Sequence, residues 1–207
     1  MLFGAAYAES KVIEQITGYP WSHSGMVVFF PDKAPGPLFW EAVTDVRTFR
    51  DPFDHNLQHL GARIVNLDHL LAYYTPYTNL QFTYRHLTVN WTPALQANLE
   101  AFVQKMDGTP FPSELQMLVD YVLGHYRNIS TGLSPIFCAQ LVAATYQAVG
   151  LLGPSPYANY YAPGDLSSLA NIVLNGASLG PDILVDYDGI VDLTPPTPPV
   201  PPPVTRP

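Results

Sequence analysis

The chain has 207 residues, of which 47% are apolar and only 13% charged, a composition that buries a core and excludes a disordered polypeptide. Seventeen Asp and Glu against nine Lys and Arg give a net charge of −8. No basic cluster appears, which excludes a nucleic-acid-tracking surface and electrostatic docking on anionic lipid. No apolar run reaches the ~20 residues of a membrane-spanning helix.

The start, Met1-Leu2-Phe3-Gly4-Ala5-Ala6-Tyr7-Ala8, is apolar but has no basic leading region and is too short for a secretory signal. It reads as the first strand or loop of the fold, and the chain as cytoplasmic or part of a particle. On that reading the sequons at Asn90 and Asn128 are chance matches. Residues 9–17 read as a short helix ended by Gly18. Met26-Val27-Val28-Phe29-Phe30 makes 25–30 a strand, and 31–37 is a proline-rich loop. Residues 38–43 form a second strand, antiparallel to the first. A short strand at 62–66 precedes a helix that Asp68 can cap, and 80–89 reads as one further strand.

Thr92-Pro93 opens a helix with Leu95, Leu99, Phe102, Val103 and Met106 at helical spacing, ended by Gly108. Ser113 opens another, with Leu115, Leu118, Val119, Val122 and Leu123 on one face. A third helix surrounds Cys138 and ends at Gly150. A loop rich in Pro and Tyr, 154–163, offers walls for an apolar groove, and a short helix starts at Asp165. Residues 183–187 and 190–193 flank Asp188-Gly189, a hairpin signal. Strands cluster early and helices late, which indicates an α+β fold. The globular part is 1–193. In the tail, 194–207, eight of the thirteen residues from Pro195 to Pro207 are proline. That composition favours polyproline II and reads as a loose terminus or as a docking strand for a protein partner.

Cys138 is the only cysteine. Ser134 is a natural N-cap and Pro135 a natural first helical residue, so the thiol projects from the first turn, where the helix dipole favours thiolate. Read alone, Cys138 is a small buried hydrophobe. His23 stands at the mouth of the first clear strand and Glu41 inside the next, between Trp40 and Ala42. Both are odd-numbered, so any antiparallel register with an even residue sum places them on one face. A carboxylate orienting an imidazole that faces a thiol is the arrangement nucleophilic catalysis requires. The structural readings are an edge-strand Glu in solvent and a structural His. Three such coincidences together are harder to sustain than one.

Trp21-Ser22-His23-Ser24-Gly25-Met26-Val27-Val28, Leu38-Phe39-Trp40-Glu41-Ala42 and Phe137-Cys138-Ala139-Gln140-Leu141-Val142-Ala143 resemble the circularly permuted NlpC-like branch of the papain-fold cysteine hydrolases. In that branch His comes first, a polar residue follows on the neighbouring strand, and Cys comes last, at the head of a helix. The resemblance covers about 1–187 and implies a papain-like α+β fold with that helix packed on a small antiparallel sheet. It implies Cys138 as nucleophile, His23 as base and then acid, Glu41 as the group holding the imidazole, and the Cys138 N–H as one oxyanion donor. It also implies a peptide or lipid acyl substrate, as in the relatives of lecithin:retinol acyltransferase. Ser24 and Ala139-Gln140 depart from the family pattern without removing a triad member.

The leading expectation is therefore a thiol hydrolase of amide or ester acyl bonds, without cofactor or metal. The alternative is a silent structural or binding protein that keeps the fold and docks through its tail. Weaker signals are Asp54, His55, His59 and His69 as metal ligands, 186–189 as part of a calcium loop, and His125 as a replacement base.

Overall fold

The computed structural model describes residues 1–4, 8–44, 49–53, 60–74, 81–170 and 172–185. Its strands are β1 (Leu2–Gly4), β2 (His23–Val28), β3 (Leu38–Val43), β4 (Gly61–Asn66), β5 (Gln81–Tyr84), β6 (Leu87–Val89), β7 (Ala177–Leu179) and β8 (Ile183–Leu184). Six of them form one antiparallel sheet in the order β4-β3-β2-β1-β5-β8, while β6 and β7 pair separately. The five α-helices among the described residues are α1 (Ala8–Thr17), α2 (Leu67–Tyr74), α3 (Pro93–Met106), α4 (Glu114–Arg127) and α5 (Cys138–Ala148). The fold is mixed α+β, as the sequence pattern indicates. No described helix is long and apolar enough to cross a membrane.

Strand alternation divides the core in two. Leu38, Trp40 and Ala42 of β3 join Ala62 and Ile64 of β4 in the larger cluster, with the buried faces of α3 and α5. The buried Trp40 N–H donates to Thr145 Oγ1 at 3.1 Å and pins α5 to the sheet. Phe39 and Val65 point the other way and pack with Phe3, Phe82 and the α2 residues Leu67, Leu70 and Tyr74. By the same alternation, the odd-numbered His23, Glu41 and Arg63 belong to the α2 side of β2, β3 and β4.

Several element edges differ from the sequence expectation. β2 begins at His23, because the Ser22 N–H already bonds the Phe3 carbonyl at 2.9 Å and ties the segment to β1. The expected strand at 80–89 divides after Tyr84. Arg85 sits at the break and donates to the carbonyls of Leu166, Leu179 and Gly180, which draws β6 away to β7. Asn66, not Asp68, caps α2: its Oδ1 accepts from the His69 N–H at 3.1 Å. α3 follows expectation, with Thr92 Oγ1 accepting from the Leu95 N–H at 3.2 Å. Asp165 lies in a single 3-10 turn, Pro163–Leu166.

The helix α4 turns a different face inward. It buries Asp120, Tyr121 and Gly124 and leaves Leu115, Val119 and Val122 exposed. Asn159 explains the choice. Its side-chain amide donates to Asp120 O at 2.8 Å and to Ile129 O at 2.9 Å, while its backbone lies where a Gly124 Cβ would be. The tyrosine-rich loop around Asn159 therefore packs on α4 and α5 and contributes Ala158, Tyr161 and Ala162 to the core. Asp54, His55 and His59, the 186–193 part of the expected hairpin, and the tail lie outside the described residues.

Candidate active site

The helix α5 starts at Cys138, three residues after Pro135. The Ile136 N–H donates to Pro110 O at 2.9 Å, and Phe137 is extended, with φ −101° and ψ 168°. Gln140 caps the turn: its Oε1 accepts from the Phe137 N–H at 3.4 Å, while its Nε2 donates to Gly132 O at 2.7 Å. That is the backward reach an N3 Glu or Gln supplies in a capping box. Cys138 is thus the first helical residue. Its own N–H is among those that a helix leaves without an internal acceptor.

The β2–β3 register places Gly25 opposite Glu41, so the residue sum is even and His23 is the diagonal neighbour of Glu41 on one face. His23 Nε2 and Glu41 Oε2 are 2.8 Å apart. The other ring nitrogen, Nδ1, is left for the thiol, and His23 and Cys138 hydrogen-bond. The strands part at this end of the sheet: pairing stops at Gly25–Glu41, although β2 starts at His23 and β3 runs to Val43. The Gly25 N–H points to β1, donating to Met1 O at 3.1 Å. Alternation then turns the Ser24 N–H toward the departing β3, where it donates to the Cys138 sulfur together with the Ala139 N–H.

These contacts set the charge states. Burial opposes the imidazolium of His23, but the bonds to Cys138 and Glu41 overcome it and raise the His23 pKa from 6.5 to about 9. Burial likewise opposes the thiolate, and the bond to His23, its charge and the two N–H groups lower the Cys138 pKa below its ordinary 9.0. Burial also opposes the Glu41 carboxylate. The His23 bond and the Arg63 charge hold its pKa below the ordinary 4.5. The site therefore favours thiolate, imidazolium and carboxylate together. Cys138 is 3% exposed and the His23 side chain 21%, so the imidazole forms the open edge.

Two supporting residues were not singled out in the sequence. Phe3, directly opposite His23 in β1, sets its ring edge-on to the imidazole at a centroid distance of 5.1 Å. Arg63, directly opposite Glu41 in β4, donates to Glu41 Oε1 from Nη2 at 2.8 Å and from Nε at 3.1 Å. A signal for Arg63 existed: a charge inside the apolar run Ala62-Arg63-Ile64-Val65 calls for a buried counter-charge. His125 is engaged elsewhere, with Nδ1 on the Tyr160 carbonyl at 3.1 Å and its ring stacked on Tyr160. Asn128 is the left-handed C-cap of α4, and its side chain accepts from the Tyr157 N–H at 3.2 Å. His69 is exposed, and no group of three or more metal-ligating side chains occurs among the described residues. No protein-family model matches the chain, and no curated protein matches it either.

Proposed function

We propose that this protein is a cysteine hydrolase that cleaves an amide or ester acyl bond through Cys138, His23 and Glu41. The observation that carries the reading is a thiol hydrogen-bonded to an imidazole whose other nitrogen is held by a fully buried carboxylate. A small buried hydrophobe needs neither group. The order His, Glu, Cys and a nucleophile at a helix N-terminus packed on an antiparallel sheet support a permuted, papain-like arrangement.

In the proposed cycle the Cys138 thiolate attacks the acyl carbon and a C–S bond forms. The carbonyl oxygen takes the negative charge, and the Cys138 N–H, at the positive end of α5, is placed to stabilise it. His23 gives its proton to the leaving nitrogen or oxygen, and the acyl–leaving-group bond breaks. The neutral imidazole then takes a proton from water as the water oxygen bonds to the acyl carbon; the C–S bond breaks, the acid leaves, and thiolate and imidazolium are restored. Glu41 holds Nε2 throughout and stabilises each imidazolium.

One observation favours a silent binding protein instead, namely the near-complete burial of the thiol. The pH dependence of iodoacetamide labelling separates the two readings, because poor access slows labelling at every pH without moving the profile. An activated site labels Cys138 with an acid limb well below 9, and electrophilic amide or ester probes label wild type but not Cys138→Ala. Labelling that rises only above about pH 8 means an ordinary thiol and sinks the hydrolase reading.

A further inference from the structure

We propose that Arg63 is a positioning residue of this site, whose guanidinium fixes Glu41 Oε1 so that Oε2 is presented to His23, and that it thereby governs the reactivity of Cys138. The inference rests on the hydrolase reading above and adds a fourth member to the constellation.

The geometry divides the carboxylate between two partners. Two Arg63 donors, Nε and Nη2, converge on Oε1, and Oε2 meets His23 at 2.8 Å. The three residues follow one another across adjacent strands, with Gly25 opposite Glu41 and Glu41 opposite Arg63. Sheet register therefore fixes the relay more tightly than a loop-borne residue would. Arg63 is 1% exposed and Glu41 0%. The Phe49 ring lies 5.5 Å from the guanidinium carbon and closes over it. A planar guanidinium held in this way can set the rotation of a carboxylate; a lysine ammonium, a point charge on a flexible stem, cannot.

Charge gives the residue its leverage. Thiolate, imidazolium, carboxylate and guanidinium sum to zero. Without Arg63 the other three sum to −1 in a place nearly closed to water, and a buried charge without its partner is neutralised by taking up a proton. A proton taken up from solvent by Glu41 brings the sum back to zero, and His23 then loses the carboxylate that stabilises its imidazolium, which weakens the pair of thiolate and imidazolium. Among the described residues, the titratable groups facing Glu41 are His23 from β2, Arg63 from β4 and, through His23, Cys138 from α5.

The test is the pH profile of Cys138 alkylation in wild type, Arg63→Lys, Arg63→Met, Glu41→Gln and the double variant Arg63→Met/Glu41→Gln. A positioning role predicts that Arg63→Met slows alkylation about tenfold on the acid limb, a shift of about one pH unit, with Arg63→Lys intermediate. It also predicts that Arg63→Met changes nothing further in the Glu41→Gln background, because Arg63 acts only through the carboxylate. If Arg63→Met or Glu41→Gln does not fold, Arg63→Lys decides. A purely structural arginine lowers the melting temperature of Arg63→Lys but leaves its profile on that of wild type, and that result overturns the proposal. So does an Arg63→Met shift of equal size with and without Glu41. A wild-type thiol that reacts only above about pH 8 overturns the hydrolase reading and the role of Arg63 together. An activated wild type with an unmoved Arg63→Lys profile overturns Arg63 alone.

Discussion

In the proposed cycle Cys138 and His23 share one proton in two different tasks, and this would give the site two distinct pH responses. As pH rises through the lowered pKa of Cys138, thiolate forms and alkylation increases. Alkylation needs only the thiolate, so it stays on its plateau when His23 loses its proton near pH 9. The proposed acyl transfer would also need that proton for the leaving group, so it should rise on the same limb and fall as pH passes about 9. Measuring both on one preparation checks the assignment, and coincident profiles would falsify the acid role of His23. At this scale the sequence named Cys138, His23 and Glu41, and the structure brings these three side chains together. One cysteine, a histidine opening a strand and a carboxylate between apolar neighbours are each unusual positions, and parity joined two of them. Arg63 was harder to see, because its partner becomes apparent only when β4 is paired with β3 in a definite register. The Ser24 N–H has no side-chain signature at all. It is available because two strands part, which is a property of the sheet.

At the scale of elements, the placement of α4 against Asn159 makes a prediction opposite in sign to helix propensity. Alanine is about 1 kcal/mol better than glycine in a helix interior. A Cβ at Gly124, however, would land on the Asn159 carbonyl, and backbone there cannot swing aside as a side-chain tip can. Gly124→Ala should therefore destabilise the protein by about 1–3 kcal/mol, the usual range for overpacking. Chemical denaturation measures it, and a gain in stability would mean that the loop does not seat on α4 as described. The apolar positions Leu115, Val119 and Val122 suggested another inward face. They misled because periodicity counts side-chain greasiness, whereas this helix is seated by a backbone approach at glycine and by an amide–carbonyl bond. Conversely, α3 was legible from end to end, since its Thr-Pro start, Gly stop and apolar stripe agree with one another. The start of α5, at Cys138 and not at Pro135, departs from the local signal for a related reason. Ser134 and Pro135 form a plausible local cap, but the Ile136 N–H bonds to Pro110, distant in sequence, and Gln140 caps instead.

For the whole molecule, the buried charges decide how stability responds to acid. Glu41 has a folded pKa below its ordinary 4.5, so its contribution is present above 4.5 and is lost as pH falls through the folded value. His23 has a folded pKa raised from 6.5 to about 9, so its contribution is complete below 6.5 and is lost as pH rises through about 9. Cys138 acts in the opposite sense to His23: its folded pKa is lowered, and it gains as pH rises toward 9.0. Between 6.5 and 9 the two act in opposite directions. Glu41 supplies a dependence of its own at the acid end, below 4.5. Glu41→Gln leaves Arg63 buried beside an uncharged amide, and breaking a buried pair in this way costs about 3–5 kcal/mol. Replacing both members, Arg63→Met/Glu41→Gln, removes the buried guanidinium as well and should recover part of that loss. The melting temperature of wild type should then exceed that of Glu41→Gln by a constant margin at neutral pH, and the margin should close as pH falls below 4.5. Taking the difference between wild type and variant cancels groups that titrate alike in both, including Asp165, whose pKa burial raises. A margin that persists unchanged to low pH would mean that Glu41 stabilises the fold by its shape and packing, and that its charge contributes nothing.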